Sequence, residues 1–246
     1  MSGKKYTSEH TVLYYESEKT QKMTLPMLLN VVIQVSGEQT AQYKEVNETM
    51  EKEGYAWIVL QHSFEIERMP VTNETIHIET RAIQYNKFFC YREFILTGEE
   101  GEELVKFLMV FAIIDLEKRK MIHIPDSLVE PYGAPFVKRP MRITRPDKVD
   151  EEDMTTSTYS VRYFDIDGND HVNNSRYIEW MLDSLGAEFL TNHQIKSGNI
   201  KFEKELLYGQ TIDSKASVKD ATYGKKTMHQ IVSSDETHCS ASFTWA

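Results

Sequence analysis

Seven side chains able to move protons, orient a carbonyl or hold a cation crowd one short segment. In YFDIDGNDHVNNSRYIEWMLDSLG, Tyr163 to Gly186, they are Asp165, Asp167, Asn169, Asp170, His171, Asn173 and Asn174. Carboxylates take protons or attack a carbonyl, imidazole titrates near neutrality, and carboxamides orient a carbonyl or a water. Three readings compete for such a cluster: a helix cap, a metal site, or catalysis. A helix needs one cap, and Asn173 or Asn174 suffices for it. A metal site drawn from Asp167, His171 and His193 lacks two His at helical ligand spacing and any Cys pair, so no metal is expected. Asp165 and Asp170 read as turn or surface residues. Asp167, Asn169 and His171 lie too far upstream to be caps and are the candidates for chemistry. No G-x-S-x-G, H-E-x-x-H, G-x-x-x-x-G-K-[ST] or G-x-G-x-x-G occurs, which removes the usual serine hydrolase, zincin, P-loop and dinucleotide readings. No cofactor is implied.

The cluster must be held where an extended segment, STYSVRYFDID, turns into a predicted helix, NNSRYIEWMLDSLGAEFL. The four strand-like runs NIKFEKELL, QTIDSKASV, KKTMHQIVSS and HCSASFTWA follow, the last with Cys239, Ala241, Phe243 and Trp245 alternating with polar residues. The first half has the same order. HTVLYYESE is extended, and Thr24 and Pro26 open a helix through Leu25, Leu28, Leu29, Val32, Ile33 and Val35 that is too apolar for a surface. Strand-like runs over 55–69, 74–85, 87–98 and 103–116 complete it, with TGEEGEE as a turn. Ser36-Gly37 matches Leu185-Gly186 at an offset of 149, and FEIERMPVTNETI matches IKFEKELLYGQTI at an offset of 136. Periodicity alone therefore supports an α+β fold stated twice. The expected boundaries are 1–124, a proline- and charge-rich linker over 125–155, and 156–246.

The order D-x-D-x-N-x-H-V-N-N followed by R-Y-I-x-W, from Asp165 to Trp180, closely resembles the acyl-acyl carrier protein thioesterases of plants and bacteria. FEKELLYGQ resembles that family's strand carrying a catalytic Glu, usually followed by Cys; FEIERMPVTNETIHIET and IIDLEKRKMIHIP resemble its first repeat. The resemblance implies a tandem (double) hotdog, two antiparallel half-sheets each wrapped around a long central helix. It also implies hydrolysis of fatty acyl-acyl carrier protein to free fatty acid, at Asp167, Asn169, His171 and Glu205. Strand alternation leaves the direction of Glu205 open, so its role rests on the resemblance. Leu206 stands at the Cys position, and neither Cys90 nor Cys239 matches it, so the chemistry must be carboxylate-based. Backbone N–H groups around Val172 to Asn174 are expected to serve as oxyanion donors at the helix N-terminus. At the repeat offsets, Glu18, Thr20, Lys22 and Met69 occupy the places of Asp167, Asn169, His171 and Glu205, which predicts one site per chain. The first half would then shape the acyl pocket, with Met27 on its wall and Asn173 and Asn174 supporting the substrate. The alternatives are an acyl- or aroyl-CoA thioesterase of the same fold, or a non-catalytic acyl-binding protein.

The net charge of -10 opposes nucleic-acid binding, which needs a basic face. Lys138, Arg139, Arg142, Arg145 and Lys148 nevertheless concentrate in the expected linker. They form either a solvated strip or a docking strip for the acidic carrier protein, with Arg142 and Arg145 at its centre. No run approaches 18 apolar residues and no leader is evident, so no membrane span is expected. Two cysteines suit a reducing, cytoplasmic setting. A homodimer paired by sheet edges is also compatible with the sequence.

Overall fold

The computed structural model describes residues 3–246 and is an α+β protein of antiparallel strands with few helices. The chain divides into two compact units. One comprises residues up to Met23, 30–62 and 67–143; the other comprises 24–29, 63–66 and 144–246.

In the first unit the strands are β1 (Tyr6–Thr11), β2 (Tyr55–Ile66), β3 (Thr75–Tyr85), β4 (Cys90–Thr97) and β5 (Glu103–Asp115). They lie in the order β1-β3-β4-β5-β2, with the short β6 (Lys120–Met121) on β5, and the last residues of β2 belong to the second unit. Alternation decides the faces: along β3, Ile76, Ile78, Thr80 and Ala82 are buried and their neighbours are not. The turn TGEEGEE closes β4 onto β5, with Gly101 at φ 83 supplying the left-handed residue. Helix α1 (Leu25–Ala41) begins as its sequence predicts, Thr24 Oγ1 accepting from Met27 N–H at 3.3 Å. Its Leu25, Leu28, Leu29, Val32 and Val35 are buried. A second helix, α2 (Lys44–Glu53), escapes the sequence reading because it is polar; only Val46 and Met50 turn inward.

The stretch read as a linker does not run free at its start. It forms α3 (Asp126–Val129), and Ile124, Leu128 and Val129 are buried in one cluster with Val46, Met50, Tyr85 and Ile113. A proline-rich composition concealed this anchor.

The second unit holds β7 (Met154–Ser160), β8 (Ile195–Phe202), β9 (Thr211–Asp220), β10 (Lys225–Ser233) and β11 (Glu236–Trp245). Their order, β8-β11-β10-β9-β7, is that of β2-β5-β4-β3-β1, so the duplication read from the sequence extends to the topology. On β11, Cys239, Ala241, Phe243 and Trp245 are buried as expected; Ser242 is buried with them. The helix predicted over 173–190 is two helices, α4 (Asn174–Asp183) and α5 (Ala187–Asn192). Gly186, at φ 81, breaks the run, whereas its sequence match Gly37 lies inside α1.

Candidate active site

The candidate residues stand on a turn between β7 and α4 whose backbone is closed by its own groups. Asp167 N–H donates to His171 O at 3.0 Å, Asp170 N–H to Asp167 O at 3.1 Å, and Asp170 takes φ 63. Asp165 is buried, and its carboxylate accepts from Arg162 N–H at 2.8 Å and from the Arg162 guanidinium at 2.8 and 3.1 Å. Burial alone would raise its pKa; hydrogen bonds from Arg162 and the nearby Arg176 charge outweigh that and hold it below the usual carboxylate value. Asp165 is thus structural, as expected, although the expected surface location gives way to a buried one. Asp170 is an exposed turn residue.

Asn173 caps α4: its Oδ1 accepts from Ser175 N–H at 2.9 Å and Ser175 Oγ at 2.8 Å. Asn174 is the first residue of that helix and half-buried. Asp167 Oδ1 accepts from Asn169 N–H at 2.8 Å and lies 4.0 Å from His171 Nδ1. His171 Nδ1 is 3.3 Å from Val172 O, and since a carbonyl only accepts, this nitrogen carries the proton. In the neutral ring Nε2 then keeps the lone pair. Asp167 and His171 are partly exposed and Asn169 is exposed.

Glu205 lies not on the strand expected over NIKFEKELL but on the segment after it, since β8 ends at Phe202 and the N–H groups of Glu203 and Lys204 both turn to His238 O; there Val172 N–H donates to Leu206 O at 2.9 Å. That bond joins the neighbour of His171 to the neighbour of Glu205. The charges of Glu205 and Asp167 both act on the buried Tyr177 hydroxyl and, after burial and Cys239, help raise its pKa. The turn and the Glu205 segment are therefore one construction.

One expectation fails in part. The N–H of Val172 is committed to Leu206 O, that of Asn173 to Asp165 O at 2.9 Å, and that of Ser175 to the cap. The amides of Val172 and Asn173 are used in building the turn, so the oxyanion role expected around Val172 to Asn174 is withdrawn for those two and stays an expectation for Asn174 alone.

The cysteines are unsuited to nucleophilic work. Cys90 and Cys239 are buried free thiols; burial pushes Cys90 up to about 12 and Cys239 well above its ordinary value. Leu206 is fully buried. Among the described residues no group of three His, Cys, Asp or Glu side chains is arranged to hold a metal ion. Met27 is half-buried in the second unit, and Arg142 and Arg145 are exposed.

The first repeat makes the same turn without these side chains. Glu18 N–H donates to Lys22 O, Gln21 N–H to Glu18 O, and Met23 N–H to Pro70 O, matching the bonds of Asp167, Asp170 and Val172. Gln21 takes φ 67 where Asp170 takes 63. Thr20 and Lys22 fill the places of Asn169 and His171. The turn folds without the Asn169 carboxamide or the His171 imidazole.

Comparison with known proteins places this architecture. A family model described as the acyl-ACP thioesterase N-terminal domain matches residues 3–132, and one for the C-terminal domain matches 148–246. The chain belongs to the acyl-ACP thioesterase family. A relative from Cuphea viscosissima named as a chloroplastic acyl-[acyl-carrier-protein] hydrolase is 22% identical over 93% of this chain and 58% of its own length. An oleoyl-acyl carrier protein thioesterase of Coriandrum sativum is 23% identical over 87% of this chain and 63% of its own. The chain thus spans about half to two thirds of the length of such curated relatives. Among solved structures, a Lactobacillus plantarum protein provisionally designated an oleoyl thioesterase is 32% identical with a TM-score of 0.95, covering 99% of this chain and 96% of that one. The 12:0-ACP thioesterase of Umbellularia californica shares the fold, with 17% identity and a TM-score of 0.84 over 98% of this chain and 94% of its own.

Proposed function

We propose that this chain hydrolyses the thioester of fatty acyl-acyl carrier protein to a free fatty acid and the thiol of the carrier's phosphopantetheine. The fold would be a tandem hotdog with its site in the second repeat alone. The observation that carries the reading is the Val172–Leu206 hydrogen bond, which ties the Asp167/Asn169/His171 turn to the Glu205 segment in the repeat that has those side chains.

A water deprotonated by Glu205 or Asp167 attacks the thioester carbonyl. The Asn169 carboxamide and the His171 ring stabilise the oxyanion, since the amides of Val172 and Asn173 are already engaged. Collapse expels a thiolate, a good leaving group, which regains a proton from the acid formed in the first step. No thiol nucleophile enters. Met27 contributes to the wall for the alkyl chain, and Asn173 and Asn174 hold the edge of the site. The exposed Arg142 and Arg145 receive the acidic carrier. The buried free cysteines suit the cytoplasm, and a homodimer is the assembly to look for.

Product analysis and kinetics test this directly. Asn169→Ala, His171→Ala and Glu205→Ala should each lower kcat at least ~100-fold on acyl-carrier substrate while melting near the wild type. Wild-type rates in all three would overturn the catalytic assignment of these residues, and no turnover by the wild type would leave a non-catalytic acyl-binding protein. A kcat/KM higher on acyl-CoA than on acyl-carrier substrate would transfer the activity to coenzyme A esters. Arg142→Glu with Arg145→Glu should raise KM for the acyl-carrier substrate and spare a small thioester mimic.

A further inference from the structure

The segment Glu203–Leu206 belongs to no strand, yet its backbone is held from two sides. Glu203 and Lys204 N–H donate to His238 O at 2.8 and 3.2 Å, and Leu206 O accepts from Val172 N–H. The groups that flank the Glu205 side chain are held by two side chains instead. Tyr177, on α4, accepts from Leu206 N–H at 3.0 Å and donates to Lys204 O at 3.5 Å. His238, on β11, donates from Nδ1 to Glu205 O at 2.9 Å. Tyr177 is 2% exposed and His238 5%. A phenol thus grips the chain before and after Glu205, and an imidazole grips its own carbonyl.

The bland explanation is that buried polar groups need partners. The first repeat shows that the fold does not require these. There Glu67 N–H donates to Leu104 O at 2.9 Å, as Glu203 does to His238 O, and Met23 N–H donates to Pro70 O as Val172 does to Leu206 O. The backbone frame is the same, but Leu28 stands where Tyr177 is and Leu104 where His238 is. Pro70 stands at the place of Leu206 and has no N–H to hold. The phenol, the imidazole and the amide they serve are absent together where Met69 replaces Glu205.

We propose that Tyr177 and His238 are positioning residues that fix the Glu205 carboxylate against the Asp167/Asn169/His171 turn. The inference rests on the catalytic reading of Glu205 and says what keeps that group aimed. A displacement of about an ångström at a reacting group costs on the order of 100-fold, so losing one hold is expected to lower kcat about 10- to 100-fold with KM little changed.

The test measures kcat and KM on acyl-carrier substrate, with melting temperatures, for Tyr177→Phe, His238→Leu and His238→Asn, each with and without Glu205→Gln. Tyr177→Phe and His238→Leu should lower kcat. His238→Asn should recover most of the loss, because its amide N–H can reach where Nδ1 stood. In the Glu205→Gln background the same changes should cost little more, since their effect passes through Glu205. Equal losses in both backgrounds, or His238→Asn as slow as His238→Leu, would overturn the positioning role. Wild-type kcat in Tyr177→Phe and His238→Leu beside a crippled Glu205→Gln would also overturn it and leave the catalytic reading standing. Wild-type turnover by Glu205→Gln itself would remove the catalytic reading instead, and the positioning role with it.

Discussion

Asn169 and His171 have counterparts, Thr20 and Lys22, on a turn with the same hydrogen bonds, and this gives the residue scale its internal control. Thr20→Ala and Lys22→Ala should leave kcat on acyl-carrier substrate unchanged, where Asn169→Ala and His171→Ala are expected to remove most of it; steady-state kinetics on the four variants decides. Asp165 belongs to a different class. Its carboxylate is the buried hub of the turn, so Asp165→Ala is expected to cost about 2 kcal/mol through the lost backbone and Arg162 hydrogen bonds. Its folded pKa lies below the unfolded value, so this stabilisation is complete above the ordinary carboxylate pKa, about 4, and fades as the pH falls through the folded value. Urea melts of the wild type and Asp165→Ala should therefore converge in acid. At this scale the sequence showed where chemistry could stand but not which groups were already occupied. The engaged amide of Val172 and the holds of Tyr177 and His238 depend on partners more than 25 residues away, which no local pattern encodes.

Elements carry the next prediction. Gly198 on β8 faces Phe243 across the β8–β11 pairing, and a Cβ there would meet Phe243 at 2.5 Å and Phe64 at 2.6 Å. The two rings pack at 6.0 Å and neither can withdraw from a filled core. Gly198→Ala should cost about 1–3 kcal/mol by overpacking, read as a shift in the urea midpoint at constant slope. Most strands were legible, since alternation and β-branched or aromatic content marked the long strands to within a few residues, except that the run NIKFEKELL was read four to five residues too late and carried Glu205 onto a strand that ends at Phe202. Helices were less so. The α4–α5 break turns on the backbone angle of Gly186, and an aligned glycine, Gly37, sits unbroken within α1. A glycine alone therefore does not mark the break. α2 was missed for a related reason: two inward residues on a polar helix make too faint a stripe.

Across the whole molecule, acid is the expected weak point. His62 in one unit and His229 in the other are fully buried, and burial lowers each pKa to about 3. Both are neutral when folded and take up a proton when unfolded below about 6.5, so their contribution is complete above that pH and lost between about 6.5 and 3. Stability should fall by roughly 1.4 kcal/mol per pH unit for each within that window. His229→Phe should flatten the decline of the melting temperature between pH 6 and 4 if the mutant folds; an unchanged slope would exclude that residue as the cause. The division of the chain gives a second test. The unit with the candidate site includes residues 24–29 and 63–66, so a fragment of 144–246 lacks Leu25, Leu28, Leu29, Phe64 and Ile66. Expressed alone it should be insoluble or unfolded by circular dichroism, and co-expression with the remainder should rescue it. This partition has an evolutionary consequence. Of two copies that began as equals, the second has come to depend on residues inherited by the first, and a duplication in that state cannot be undone by loss of the first copy. A substitution among residues 24–29 is a change to the unit that carries the candidate site, so drift in the first copy is constrained by the packing of the second.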